Sequence, residues 1–266
     1  MGMHIAEKVL VVTGGGNGIG REVVLELVRR GARVAAVDRR PEFLKETSRL
    51  ASPDRVVSYA IDITDRPAVF DLPARVTADL GQVDGVVNVA GIIQPFVPIN
   101  DLSMEDIDRV MAVNFWGTMS MVKAFLPTLL TRPDACIVNV SSMGALVPVP
   151  GQGAYGASKA AVRLLTECLF AELQGTRISV TEVFPGAVGT HISENSGVEV
   201  PGMPAGAPPA MTSAADAAQS IVDAMERGTF RVLIGRDARN LDRLSRIAPE
   251  RAITLVAQRM KKMLGL

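Results

Sequence analysis

Short apolar runs recur along this chain, and between them lie longer stretches with helical spacing. The runs at 8–13 (KVLVVT), 33–38 (RVAAVD), 56–60, 85–88, 135–140, 179–184 and 230–234 read as strands. They show almost no polar alternation, so both faces of each strand must be covered. The stretch 18–30 puts Ile19, Val23, Val24, Leu27 and Val28 on one helix face. Further helices are predicted at 41–50, from Asp65 to about position 80, at 103–130, 153–173 and 213–228. Ser103 and Ser213 stand where N-caps are expected, and Glu105 and Asp106 fall in a first turn, where the helix dipole favours acids. Strands alternating with helices predict an α/β fold, a doubly wound parallel sheet of about seven strands with right-handed crossovers. No repeat or linker divides the chain. The expectation is one domain over 1–266, with a Gly- and Pro-rich lid at 186–211 and a helical tail at 236–266.

Scarce residues exclude several chemistries. The only histidines, His4 and His191, are far apart with no cysteine at ligand spacing, which argues against a zinc site. Cys136 and Cys168 read as reduced thiols, not a disulfide framework. Lys and Arg number 28 and so do Asp and Glu, for a net charge of +0, unlike a dedicated nucleic-acid binder. No stretch is long and apolar enough for a membrane span and no leader is evident. A cytoplasmic location is expected.

Between the first strand and the first helix stands Thr13-Gly14-Gly15-Gly16-Asn17-Gly18-Ile19-Gly20. Glycines there permit positive φ and let a pyrophosphate approach a helix N-terminus. Asp38 ends the second strand, where an acid accepts hydrogen bonds from an adenosine ribose and repels a 2′-phosphate. That favours NAD over NADP, although Arg39 and Arg40 stand beside it. Tyr155 and Lys159 share a helix face at i and i+4. A nearby ammonium lowers a phenol's pKa towards the range useful for proton transfer. Ser141 and Ser142 follow the fifth strand and Asn88 ends the fourth, at the sheet edge where ligands bind.

Together these motifs resemble the short-chain dehydrogenase/reductase family in its single-domain, Rossmann-type branch. The resemblance runs from Lys8 to about Gly235. Thr13-Gly14-x-x-x-Gly18-x-Gly20 matches its cofactor fingerprint, and Asp62-Ile63 resembles its adenine-contacting pair. Asn88-Val89-Ala90-Gly91 resembles its strand-four motif, with Val89 in place of a second Asn. Asn114, Ser142, Tyr155 and Lys159 match its catalytic tetrad, and Pro185-Gly186-x-Val188-x-Thr190 matches its nicotinamide turn. The resemblance implies that Tyr155 exchanges a proton with substrate. It implies that Lys159 tunes Tyr155 and binds ribose, that Ser142 holds the substrate oxygen, and that Asn114 anchors a water. It also implies a homo-oligomer, tetramer or dimer.

The substrate end is read from Ile93, Gln94, Ser142, Met143, Val149, Gln152, Ala187, Met203 and Met211. No Lys or Arg appears among them, so a neutral, apolar secondary alcohol or ketone is expected. An NADP-dependent reductase of 3-oxoacyl thioesters and a non-catalytic dinucleotide-binding regulator remain as alternatives. The tail at 240–264 is basic and amphipathic, broken at Pro249. It reads as a helix pair that caps the pocket or packs in an oligomer, with lipid contact as the other reading.

Overall fold

The structure, a computed structural model, describes residues 2–190, 192–199 and 211–264. Its main sheet has seven parallel strands in the order β3-β2-β1-β4-β5-β6-β9. These are β1 Val9–Thr13, β2 Arg33–Asp38, β3 Val56–Ala60, β4 Gly85–Asn88, β5 Ala135–Val140, β6 Ile178–Pro185 and β9 Arg231–Ile234. The strands alternate their side chains between two apolar layers. Leu10, Val12, Val34 and Ala36 pack with Val23, Val24 and Leu27 of α1 (Gly18–Arg29) and Ile221, Val222 and Met225 of α8 (Ala214–Arg227). Val9, Val11, Ala35 and Val37 pack with α3 (Arg66–Leu80) and with Met121, Phe125 and Leu129 of α5 (Thr118–Leu129). Both faces are therefore dry, which is why the strands carry no alternation.

Strand order reverses between β1 and β4, and the gap outside their carboxyl ends is where such sheets bind ligands. The register holds those ends level: Thr13 lies opposite Asn88, and Asn88 opposite Asn139. Local signals hold the helix starts. Asn17 Oδ1 accepts from the Gly18 amide at 2.7 Å, Asp65 from Ala68 at 3.2 Å, Ser103 from Asp106 at 3.1 Å and Ser213 from Asp216 at 3.0 Å. Each such cap stabilises its helix by about 1 kcal/mol.

Two features depart from the sequence reading. The helix expected over 103–130 is α4 (Met104–Met111) and α5 joined by a π-helical turn, Ala112–Gly117, which contains Asn114. Such turns are rare and concentrate at functional sites. The lid region is not bare loop. It holds the short parallel pair β7 (Val188–Gly189) and β8 (Thr212–Ser213) and the helix α7 (Ile192–Ser196). His191, Met203 and the other lid positions 200–210 lie outside the described residues. The helical tail begins where expected, as α9 (Arg236–Ile247), and is followed by α10 (Pro249–Leu264). The remaining helices are α2 (Pro41–Leu50) and α6 (Gly153–Glu172).

Candidate active site

The glycine turn is built by backbone demands no other residue meets. A Cβ on Gly20 would stand 2.1 Å from the Gly14 carbonyl oxygen, so the helix start can fold onto the turn only with glycine there. Gly14 has φ +68°, and a Cβ on it would meet the Ala90 backbone at 3.0 Å. An open cleft lies over this turn. It is lined by Gly14, Asn17, Gly18, Ile19, Gly20, Asp38, Asp62, Ile63, Ala90, Gly91 and Thr190, all expected from sequence. Arg39, Arg40, Phe43, Ile192 and Asn195 also line it. Both Asp38 oxygens are fixed: Oδ2 accepts from the Gly16 amide at 3.1 Å and Oδ1 from the Arg40 amide at 3.1 Å. Arg40 stacks over Phe43 at 4.6 Å and donates to the Asn195 carbonyl at 2.8 Å, so its guanidinium is already engaged. Asp62 turns onto Thr64, accepting from its amide at 2.9 Å and its hydroxyl at 2.8 Å.

Lys159 and Asn114 meet beside Gly91. Its Cβ position lies 3.1 Å from Lys159 Nζ and 3.3 Å from Asn114 Oδ1, so a larger residue would push both away. Lys159 Nζ donates to the Val140 carbonyl at 2.9 Å. Burial brings its pKa down to about 8. The Ser142 hydroxyl and the Tyr155 ring meet at Gly144, where a Cβ would stand 3.4 Å from Ser142 Oγ and 3.7 Å from Tyr155 Cε1. Burial pushes the Tyr155 phenol above its ordinary value, and the nearby Ser142 hydroxyl pulls the other way. The lowering expected from Lys159 is thus not the dominant effect here; burial is. Asn114 Nδ2 donates to the Ile92 carbonyl at 2.9 Å and to Ser158 Oγ at 2.9 Å, while Oδ1 accepts from the Ile92 amide at 2.8 Å. Its side chain is a brace on the Gly91–Ile92 segment. Asn88 is buried against β5, donating to Asn139 at 2.8 Å, and does not line the cleft.

The expected substrate residues separate. Ser142 and Met143 stay beside Tyr155. Gln94 is fully buried and clamps the start of α6: Oε1 accepts from the Tyr155 amide at 2.9 Å and Nε2 donates to the Gly151 carbonyl at 3.1 Å. Gln152 Nε2 donates to the Gln94 carbonyl at 2.8 Å. Both amides hold Tyr155's helix in place rather than face the open cleft. Sequence spacing could not tell these roles apart. Ala187 and Met211 line a second opening, with Thr212, Gly235 and Asp237. The turn after β6 is tied down there: Gly186 N donates to the Ile234 carbonyl at 2.9 Å and Ala187 N to Asp237 Oδ2 at 2.6 Å. Asp237 was not foreseen, and nothing in its sequence neighbourhood marks it.

The arrangement offers a buried phenol, a hydroxyl near it and a buried ammonium beside Gly91, which lines the cleft over the glycine turn. Comparison with known proteins agrees. The model of the short chain dehydrogenase family matches residues 8–200. The putative oxidoreductase SadH of Mycobacterium tuberculosis is 37% identical over 265 residues, covering 96% of each chain. Among solved structures, a short chain dehydrogenase/reductase from Burkholderia phymatum in complex with NAD superposes with a TM-score of 0.85 at 25% identity, covering 93% of this chain and 96% of that one. A short chain dehydrogenase from Burkholderia cenocepacia in complex with NADP gives 0.80 at 29% identity, covering 96% and 99%.

Proposed function

The chain belongs to the short-chain dehydrogenase family, and from that premise we propose that it moves a hydride between NAD(H) and a neutral, apolar secondary alcohol or ketone. The observation that carries the reading is the grouping of Ser142 and Tyr155 at Gly144 with Lys159 and Asn114 at Gly91. The glycine turn fits a dinucleotide, because Gly14, Gly18 and Gly20 line an open cleft that also reaches Asp38, Asp62 and Gly91. Gly14, Asn17, Gly18, Ile19 and Gly20 would hold the pyrophosphate, Asp38 the adenosine ribose, and Asp62 and Ile63 the adenine. Ala90, Gly91 and the turn Pro185, Gly186, Val188 and Thr190 would flank the nicotinamide half, with Asn88 supporting β4 beneath. When bound, the nicotinamide supplies or takes the hydride.

The chain's own residues do the rest. Tyr155 gives a proton to the carbonyl oxygen in reduction and takes it back in oxidation. Ser142 donates to the same oxygen and stabilises its developing charge. Lys159, charged below about pH 8, offsets the phenolate left on Tyr155. Asn114 keeps Gly91 and Ile92 from closing on Lys159. Met143, Val149 and Ala187 supply apolar contacts for the substrate. NAD would be preferred, because Asp38, held at the end of β2, would meet the ribose and Arg40 is engaged by Asn195. We extend the reading to one Rossmann-type unit that assembles as a homo-oligomer in the cytoplasm. Exposed Leu164 and Phe170 on α6 and Trp116 on the π turn favour assembly through those helices.

Tyr155→Phe is the direct test. Turnover of a secondary alcohol should fall by about 10²- to 10⁴-fold, the range for losing a general acid–base. NADH binding, followed by fluorescence titration, should stay within about two-fold, since the phenol oxygen adds little to cofactor affinity. Turnover near wild type would overturn the assignment of Tyr155.

A further inference from the structure

The helical pair α9–α10 carries an unusual combination of charge and exposure. Residues 236–266 hold eight Lys and Arg against three Asp and Glu, a net of +5 in a chain whose total is +0. The remainder is therefore net −5, so the positive charge is concentrated in this one segment. On α9 the arginines fall at 236, 239, 243 and 246, spacings of three and four that keep them on one face. All four are exposed, although Arg246 pairs with the buried Asp242 one turn back at 3.2 Å, and Ala238 is buried beneath. At the far end the chain turns sharply into α10 at Pro249. Ile247 at that turn is 84% exposed, the highest value among the exposed large apolar residues described, and Ile253 in the first turns of α10 is 45% exposed. Arg243, Arg246 and Arg251 surround them in sequence, and all three are exposed. The hairpin tip is thus two bare isoleucines inside a basic collar.

We propose that this tip docks on an anionic lipid surface, with Ile247 and Ile253 entering the headgroup boundary and the arginines meeting the phosphates. A bilayer accounts for both features at once, since it is negative on the surface and apolar beneath it. A second copy of the chain would answer the charge, through its net negative remainder, but would also need an apolar recess for Ile247. Docking is reversible, because one hairpin tip inserts far less apolar area than a spanning helix. Its consequence is positional. α9 lies against residues 143–145, which directly follow Ser142. Its first turn also holds the Ala187 amide through Asp237. A membrane-bound tip would hold the substrate side of the site close to lipid, where apolar alcohols and ketones collect.

The test uses the full chain and sedimentation with vesicles, and does not depend on turnover. The chain should pellet with phosphatidylglycerol vesicles, release as salt rises, and stay in solution with phosphatidylcholine vesicles. Arg243→Gln and Arg251→Gln should each weaken binding about five-fold, and Ile247→Gln about ten-fold or more. Unchanged thermal unfolding in these variants would show that the loss is not misfolding. Failure of the wild type to pellet with anionic vesicles would overturn the proposal. So would equal binding to neutral vesicles. Self-association lost in Arg243→Gln without any vesicle binding would assign the face to a second copy and overturn it too.

Discussion

Asp38 is held on both oxygens by backbone amides, so its carboxylate cannot swing away from whatever occupies the ribose end of the cleft. A 2′-phosphate placed about 4 Å from it would meet a repulsion of roughly 4 kcal/mol at an effective dielectric of 20. Rescue by a neighbouring arginine is blocked in part, because Arg40 is stacked on Phe43 and bonded to Asn195 of α7. Asp38→Ser should therefore raise the ratio of kcat/KM for NADP over that for NAD at least about ten-fold. Steady-state kinetics with both nucleotides checks this, and an unchanged ratio would place the selectivity on another residue. The acid at the strand end was legible from sequence, because β2 is a clean apolar run that stops at it. The engagement of Arg40 was not, since its partner lies 155 positions away in a segment with no periodic pattern. Gln94 failed for the same reason: its bond to the Tyr155 amide spans 61 positions.

At the scale of elements, α9 does more than end the fold. Asp237 in its first turn accepts from the Ala187 amide at 2.6 Å. A Cβ on Gly186 would stand 2.2 Å from Asp237 Oδ1, and one on Gly235 would stand 2.4 Å from the same oxygen. Both glycines are there to let that carboxylate reach the turn after β6. Losing it would free the turn proposed above to flank the nicotinamide. Asp237→Ala should raise the KM for cofactor by about ten-fold, in line with a charge-assisted hydrogen bond, and lower kcat much less. Asp237→Asn keeps an acceptor and should recover most of the loss. A fall in kcat with KM unchanged would show that the contact does not act on the cofactor turn. Sequence reading located the long elements well: β2, β3, β4 and β5, and α2, match their expected bounds. Their signal is local, buried apolar runs bounded by caps and turn residues. The π turn at Asn114, the short pair β7–β8 and α7 carry no such signal, because tertiary contacts hold them in place of periodicity.

The molecule as a whole is pinned at its open sheet edge by a buried charge cluster. Glu182 on β6 is fully buried, and Arg231 on β9 reaches it at 3.4 Å. Arg231 also bonds Asp242 of α9 at 2.8 Å, so one guanidinium joins two strands and the tail. Burial pushes the Glu182 carboxyl up to about 7 from 4.5, against the pull of Arg231. A carboxyl whose pKa is higher folded than unfolded holds its proton more tightly in the native state. That contribution to stability is complete below about pH 4.5 and is lost as pH rises through about 7. Glu182→Gln cannot titrate, so it lacks the pH-dependent part. Wild type should therefore exceed Glu182→Gln in stability most at low pH, and the margin should shrink by up to about 3 kcal/mol on going to about pH 8. Urea unfolding of both proteins at about pH 5 and about pH 8 reads the difference directly. A margin that stays constant would mean that Glu182 remains ionised throughout, held so by Arg231. A margin that grows with pH would mean that the ion pair outweighs burial, and the sheet edge would then be fastened by charge rather than by a shared proton.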